Sequence, residues 1–225
     1  MSEELVDIWV YLATTPLLGL TMTLVAYQGG MWIYQRFGLN PLLNPVLIAV
    51  VVLVGLLMIT GTDYQTYFEG AQFVHFMLGP ATVALAVPLY QQFQKVRKSF
   101  AIIVASIFAG SVTAVLSAVA IAWALGASES TLVSLAPKSV TAPIAMGIAQ
   151  AAGGVASLTA VLVILTGILG AVLGPWVLNT LRIKDWRARG LAMGTASHGI
   201  GTARALQVNA VAGAFASLAM GLNGL

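Results

Sequence analysis

Lys138 is the one charged residue in the stretch Pro137-Lys138-Ser139-Val140-Thr141-Ala142-Pro143. An ionisable group held among apolar residues is costly, and in a membrane segment it marks a substrate or ion site by default. Lys138 would supply positive charge, while Ser139, Thr141 and the free N–H groups of a half-helix would supply hydrogen-bond donors, a set that holds a carboxylate or phosphate. The plainer reading is a lysine that snorkels from a shallow loop. A second group, Ser197-His198-Gly199-Ile200-Gly201-Thr202-Ala203-Arg204, joins an imidazole to a guanidinium. Arg204 can clasp a carboxylate with two parallel hydrogen bonds, or it can simply end a membrane helix at the cytoplasmic face. His198 has an unperturbed pKa near physiological pH and could carry a proton during transport; the alternative is a histidine bonded to a neighbouring helix.

What the chain lacks is equally informative. Its seven acids, Glu3, Glu4, Asp7, Asp63, Glu69, Glu129 and Asp185, all fall in expected loops or interfaces, so the interior is cationic. His75 and His198 are the only histidines and there is no cysteine, which leaves no metal-ligand set, and neither metal nor cofactor is expected. Ser197 beside His198 suggests a hydrolase, but neighbours on one helix point about 100° apart and cannot share a nucleophile–base hydrogen bond. Ser139 could meet His198 in space, though nothing in the spacing supports that pair, and no enzymatic activity is expected. The net charge of +3 sits in loops and speaks to membrane orientation, not to nucleic acid.

These residues must be positioned by membrane helices. With 59% hydrophobic and 8% charged residues and a mean hydropathy of +0.94, the chain cannot cover a water-soluble fold of its size. An all-α, multi-pass fold follows, and the 23 glycines read as close-packing faces. Six stretches read as spans: 16–34, 45–60, 71–90, 101–126, 158–181 and 206–225, the last suited to burial inside protein. Two further segments, 131–150 and 191–205, read as re-entrant or broken. Lys95, Arg97 and Lys98 mark one loop as inside, and Arg182, Lys184, Arg187 and Arg189 another. Both can lie inside only if 131–150 dips into the bilayer and returns through Gly153-Gly154. The N-terminus, read as retained, and the 63–69 loop then lie outside.

Irregular backbone at membrane depth survives only where protein buries it or a cavity lies beside it, so broken segments are candidate sites. Three are expected. Gly79, Pro80 and Thr82, with Pro88 beyond them, interrupt the third span; Pro137 and Pro143 bracket the Lys138 turn; Gly199 and Gly201 loosen the segment around His198. The first two read Leu-Gly-Pro-Ala-Thr-Val-Ala and Leu-Ala-Pro-Lys-Ser-Val-Thr, either an inverted repeat or a coincidence in an apolar sequence. Asn44 stands before Pro45, where it could cap the second span. Tyr64, Tyr67 and Phe68, with Trp32, Trp123, Trp176 and Trp186, fit aromatic belts at span ends.

At these motifs the chain resembles the LrgB/CidB family of bacterial membrane proteins, to which the plastid glycolate/glycerate carrier is also similar. The likeness runs through Asn44-Pro45-Val46-Leu47-Ile48, residues 78–90 from Leu78-Gly79-Pro80-Ala81-Thr82 to Tyr90, the segment 137–145 around Lys138-Ser139, the run Gly194 to Ala205 and Gly213-Ala214-Phe215. The resemblance implies one LrgB-like domain over residues 1–225 in the bacterial cytoplasmic (inner) membrane. It also implies either carriage of small monocarboxylates such as pyruvate, glycolate, glycerate or lactate, or a holin-like role in murein hydrolase activity and autolysis. Expected partners are a small organic anion, membrane lipid, a separate LrgA/CidA-like membrane protein and further copies of the chain. Lys138, Ser139, Thr141, His198, Thr202 and Arg204 are expected to converge near the midplane from two segments entering from opposite sides.

Overall fold

Two stretches that are apolar on every face, Phe100–Ala124 and Ala156–Thr180, each fold as one helix of 25 residues. At 1.5 Å per residue each runs about 37 Å, past the ~30 Å of bilayer hydrocarbon. Their mean hydropathies are 2.3 and 2.4. On the first, Phe108 is 71% and Leu116 64% exposed, an outer face that suits lipid and would aggregate in water.

The computed structural model describes residues 16–225, which form helices and connections; among these residues there is no strand. The acidic N-terminal segment lies outside the described residues. In order, the helices are α1 (Pro16–Arg36), a short 3-10 turn (Pro41–Leu43), α2 (Pro45–Thr60), α3 (Tyr64–Ala84), α4 (Ala86–Gln91), α5 (Phe93–Lys98) and α6 (Phe100–Ala124). There follow α7 (Glu129–Leu135), α8 (Ala142–Ala151), α9 (Ala156–Thr180), α10 (Trp186–Val208) and α11 (Ala210–Asn223). By length and apolarity together, α6 and α9 among the described helices are fit to cross a bilayer, at two of the six expected spans.

The chain divides between Ala84 and Leu85 into two compact units. In the first, α1 packs on α2 and α3 through glycines. A side chain at Gly19 would strike the Tyr67 carbonyl and one at Gly30 the Pro45 carbonyl. Thr23 and Tyr67 share a 2.7 Å hydroxyl hydrogen bond across that contact. Asn44 is buried and caps α2, its Oδ1 accepting from the amides of Val46 and Leu47. The expected break at Gly79, Pro80 and Thr82 is not there: α3 runs on to Ala84 with Pro80 inside it. Pro80 is exposed, and a membrane helix can absorb one missing donor. The interruption expected at Pro88 is there: α3 ends at Ala84, four residues before a proline that has no N–H to continue the ladder. The side chains of His75 and Thr82 lie outside the described residues.

The second unit is built along α9 by two helical hairpins. The first is α7 and α8, about 10 and 15 Å long, each too short to span. It closes on itself at the start of α9: the buried Ser134 hydroxyl accepts from the Val155 amide at 2.8 Å, and the Thr159 hydroxyl donates to the Ser134 carbonyl at 3.1 Å. The chain therefore turns back within residues 134–155, its return brought beside the end of α7. The second hairpin is α10 itself. A side chain at Gly201 would lie 2.7 Å from the carbonyl of Met193, eight residues earlier; in an unbroken helix eight residues rise about 12 Å. The fold-back sits at Ser197 (φ −129°, ψ 16°) and His198 (φ 39°, ψ −134°). Gly190 and Gly194 on the first arm abut Ala212 and Ala216 of α11, whereas on the second arm Leu206 abuts Gly213 and Thr202 reaches Ala216. The two arms thus run in opposite directions along α11. Asn209 alone joins the second arm to α11, so the last helix begins at Ala210, not at Leu206 as expected. At 14 residues α11 is too short to span and is almost wholly buried, Phe215 and Ala219 packing with Ile103 and Ile107 of α6.

Candidate anion site at two hairpin tips

The tips of both hairpins meet on one turn of α9. From the first, Val140 and Ala145 pack against Val163. From the second, the buried His198 donates from Nε2–H to the Val163 carbonyl at 2.9 Å. A carbonyl only accepts, so this bond places the neutral ring's proton on Nε2 and leaves Nδ1 as the acceptor. Glycines on α9 make the slot: a side chain at Gly167 would strike the His198 ring, and one at Gly170 would overlap Ser197 Oγ. Farther along, Gly174 receives Met193. The hairpins therefore approach along α9 from opposite ends, the first from Val155 and the second from Leu178.

At the junction, Lys138 is half-buried with its Nζ 3.4 Å from Ser139 Oγ. Thr141 stands at the N-cap of α8 and makes no side-chain capping bond, while Pro143 in the first turn has no N–H. Ala145 donates its amide to the Thr141 carbonyl at 2.9 Å, which leaves the Thr141 hydroxyl and the Ala142 and Ile144 amides as donors outside the helix ladder. Pro137 is buried at the start of the turn. One amide ties the tips together: Asn223 Nδ2, at the end of α11, donates to the carbonyls of Ser139 and Thr195, both at 3.3 Å. Its Oδ1 is buried and has no hydrogen-bond partner. A flipped amide would set oxygen against two carbonyls, so the orientation is fixed by chemistry. Sequence reading missed Asn223, although it is the one amide near the end of an apolar stretch.

The six expected ligands do not all converge. Lys138, Ser139, Thr141 and His198 gather at the tips. Thr202 lies one turn past the tip and donates its hydroxyl to the His198 carbonyl at 2.8 Å, which braces the fold-back. Gly201 packs on Ser197 and Met193, and Gly199 has only Met220 near it. Arg204 is buried six residues down the second arm, about 9 Å of helix rise from His198. It lines a cavity of about 290 Å³ with Pro175, Asn179, Trp186 and Arg189 on the α9 C-terminal side, and Lys138 is not among the lining residues. The expected single pocket holding both Lys138 and Arg204 is thus corrected: the fold-back puts the guanidinium nearer the hairpin's base.

Described helices long and apolar enough to cross a bilayer define a helical membrane protein. The chain belongs to the LrgB-like family, whose family model matches residues 23–225. It is 40% identical to the Bacillus subtilis (strain 168) protein YwbG over 204 residues, 91% of this chain and 90% of that one. It is 36% identical to the holin-like protein CidB of Staphylococcus epidermidis over 203 residues, 90% and 88% of the two chains. To CidB of Staphylococcus aureus it is 34% identical over 204 residues, 91% and 89% of the two. No solved structure matches the chain.

Proposed function

We propose that this LrgB-type membrane protein is a multi-pass carrier of small monocarboxylates, of the pyruvate, glycolate, glycerate or lactate type, in the bacterial cytoplasmic membrane. The observation that carries this reading is the meeting of Lys138, Ser139 and the N-terminus of α8 with the His198 fold-back near the middle of α9, with no acid among the described residues named there. An anion with one carboxylate balances that charge and can accept from the ammonium, the Ser139 and Thr141 hydroxyls and the α8 amides. Transport needs such a site to be reached from either side in turn, and two hairpins entering from opposite ends of one helix provide two gates. A separate LrgA/CidA-like protein would act as partner.

A second reading, a holin-like auxiliary of murein hydrolase control, is favoured by the names of the staphylococcal relatives. Purified protein in vesicles, given labelled pyruvate, glycolate and lactate with and without an LrgA-like partner, separates the two. A carrier shows saturable uptake that falls at least about 10-fold in Lys138→Gln, the loss of about 1.4 kcal/mol of charge-assisted binding. A pore shows conductance without saturation, and Lys138→Gln changes only its selectivity.

A further inference from the structure

The cavity around Arg204 is not accounted for by the hairpin-tip site. It lies between the last turns of α9 and the base of the α10 hairpin, with a volume of about 290 Å³. Two guanidinium groups line it, Arg189 from the first arm and Arg204 from the second, with the Asn179 amide between Pro175 and Trp186. Among the described residues, none that lines it is acidic. Arg189 is held in place: its Nη1 donates to the Ile183 carbonyl at 2.9 Å, and its guanidinium stacks 5.2 Å from the Trp186 ring. The nearest acid in sequence, Asp185, is engaged by Arg187 outside the cavity. The fold-back at His198 is what brings residues 189 and 204 of one helix face to face, so the positive charge is a product of the architecture.

We propose that this cavity is a second anion station, in which Arg204 and Arg189 hold the carboxylate of a small organic acid and Asn179 bonds its hydroxyl or oxo group. The inference rests on the carrier reading and deepens it: the station loads the substrate from the basic-loop side before it moves about one hairpin arm's length to the tips. Planar guanidinium forks suit a carboxylate, and a volume of this size admits a three-carbon acid with several waters. A lipid phosphate offers the same oxyanion chemistry, but the mouth is shared with an amide and a stacked indole that fit a small polar ligand.

Because the chain contains no cysteine, Val208→Cys, at a lining residue to which the proposal gives no ligand role, places a single thiol at the cavity. Its rate of modification by an anionic and by a cationic methanethiosulfonate reagent is measured in neutral phosphatidylcholine vesicles, with and without pyruvate. The station predicts faster reaction with the anionic reagent, slowed several-fold by pyruvate, and loss of that protection when Arg189→Gln is added. The proposal is overturned if pyruvate leaves the rate unchanged, or if protection appears only when phosphatidylglycerol is present, which would make the cavity a lipid headgroup site. Labelled-pyruvate uptake by cysteine-free protein is read in parallel. Protection without uptake sinks the carrier and leaves the station; uptake without protection does the reverse.

Discussion

The two hairpins reverse the chain by different means. In the first, Pro137 and the turn through Val140 separate two short helices, and every tip residue adopts an ordinary backbone conformation. In the second, the reversal is forced onto His198 at φ 39°, ψ −134°, a region that side chains avoid and that costs about 1–3 kcal/mol. What holds it there is packing by other helices: the glycine slot on α9, and Gly190 and Gly194 set directly on the backbone of α11. A hairpin made by turn residues carries its own instructions. A hairpin made by packing depends on glycines elsewhere, and it can hold a histidine in a strained, rigid pose at the site.

The contrast is sharpest at the glycines. A side chain at Gly194 would sit 2.2 Å from the Ala216 carbonyl, so the arm and α11 must part. Gly194→Ala is expected to cost about 3 kcal/mol or more and to cut the folded yield in detergent. Gly147, on α8 of the first hairpin, has nothing within 4 Å of its would-be side chain. Gly147→Ala should raise stability by about 0.5–1 kcal/mol, because it removes only unfolded-state freedom. Equal effects of the two changes would erase the distinction.

Next in size is the amide that bridges the hairpins. Asn223→Ala leaves the Ser139 and Thr195 carbonyls without that donor, a loss of about 1–3 kcal/mol, visible as a lower midpoint of thermal unfolding in detergent. His198 then separates strain from contact. His198→Gly and His198→Ala both lose the bond to Val163, but glycine accepts the backbone angles, so the glycine variant should outlast the alanine variant by about 1 kcal/mol. If alanine is the more stable, the fold-back conformation is wrong.

The smallest effect lies at the entry to the second hairpin. The Arg187 side chain and the Arg187 amide, both donating to the Asp185 carboxylate, hold its pKa down from 3.8 to about 2. A carboxylate whose folded pKa is lowered stabilises above its unfolded value and loses that contribution as pH falls, here between about 4 and 2. The pair is exposed and screened by solvent, so Asp185→Ala should cost under about 1 kcal/mol at neutral pH and nothing at pH 2.

The two hairpins were unequally legible in the sequence. Pro137, Lys138 and Pro143, with Gly153-Gly154 beyond, announce the first reversal, because proline and glycine act locally. The second reads as a broken segment over 191–205, but its turn falls at Ser197-His198 and not at the glycines beside it, of which Gly201 packs on Ser197. Its partners, Gly167 and Gly170, lie some thirty residues away and look like any other membrane glycines. The same non-local folding hid the pairing of Arg189 with Arg204, which are fifteen positions apart, and it separated Arg204 from Lys138. At Pro80 the proline signal misled, because an exposed proline interrupts one bond without ending a helix, whereas α3 does end four residues before Pro88.

The meeting of the tips is the claim on which the site depends. In a chain without native thiols, Ser139→Cys combined with Thr195→Cys can be treated in membrane vesicles with a short bifunctional methanethiosulfonate. Since Asn223 Nδ2 holds both backbone carbonyls at 3.3 Å, an intramolecular cross-link should form rapidly and block pyruvate uptake. Two thiols that each react with a monofunctional reagent yet never cross-link would contradict the account.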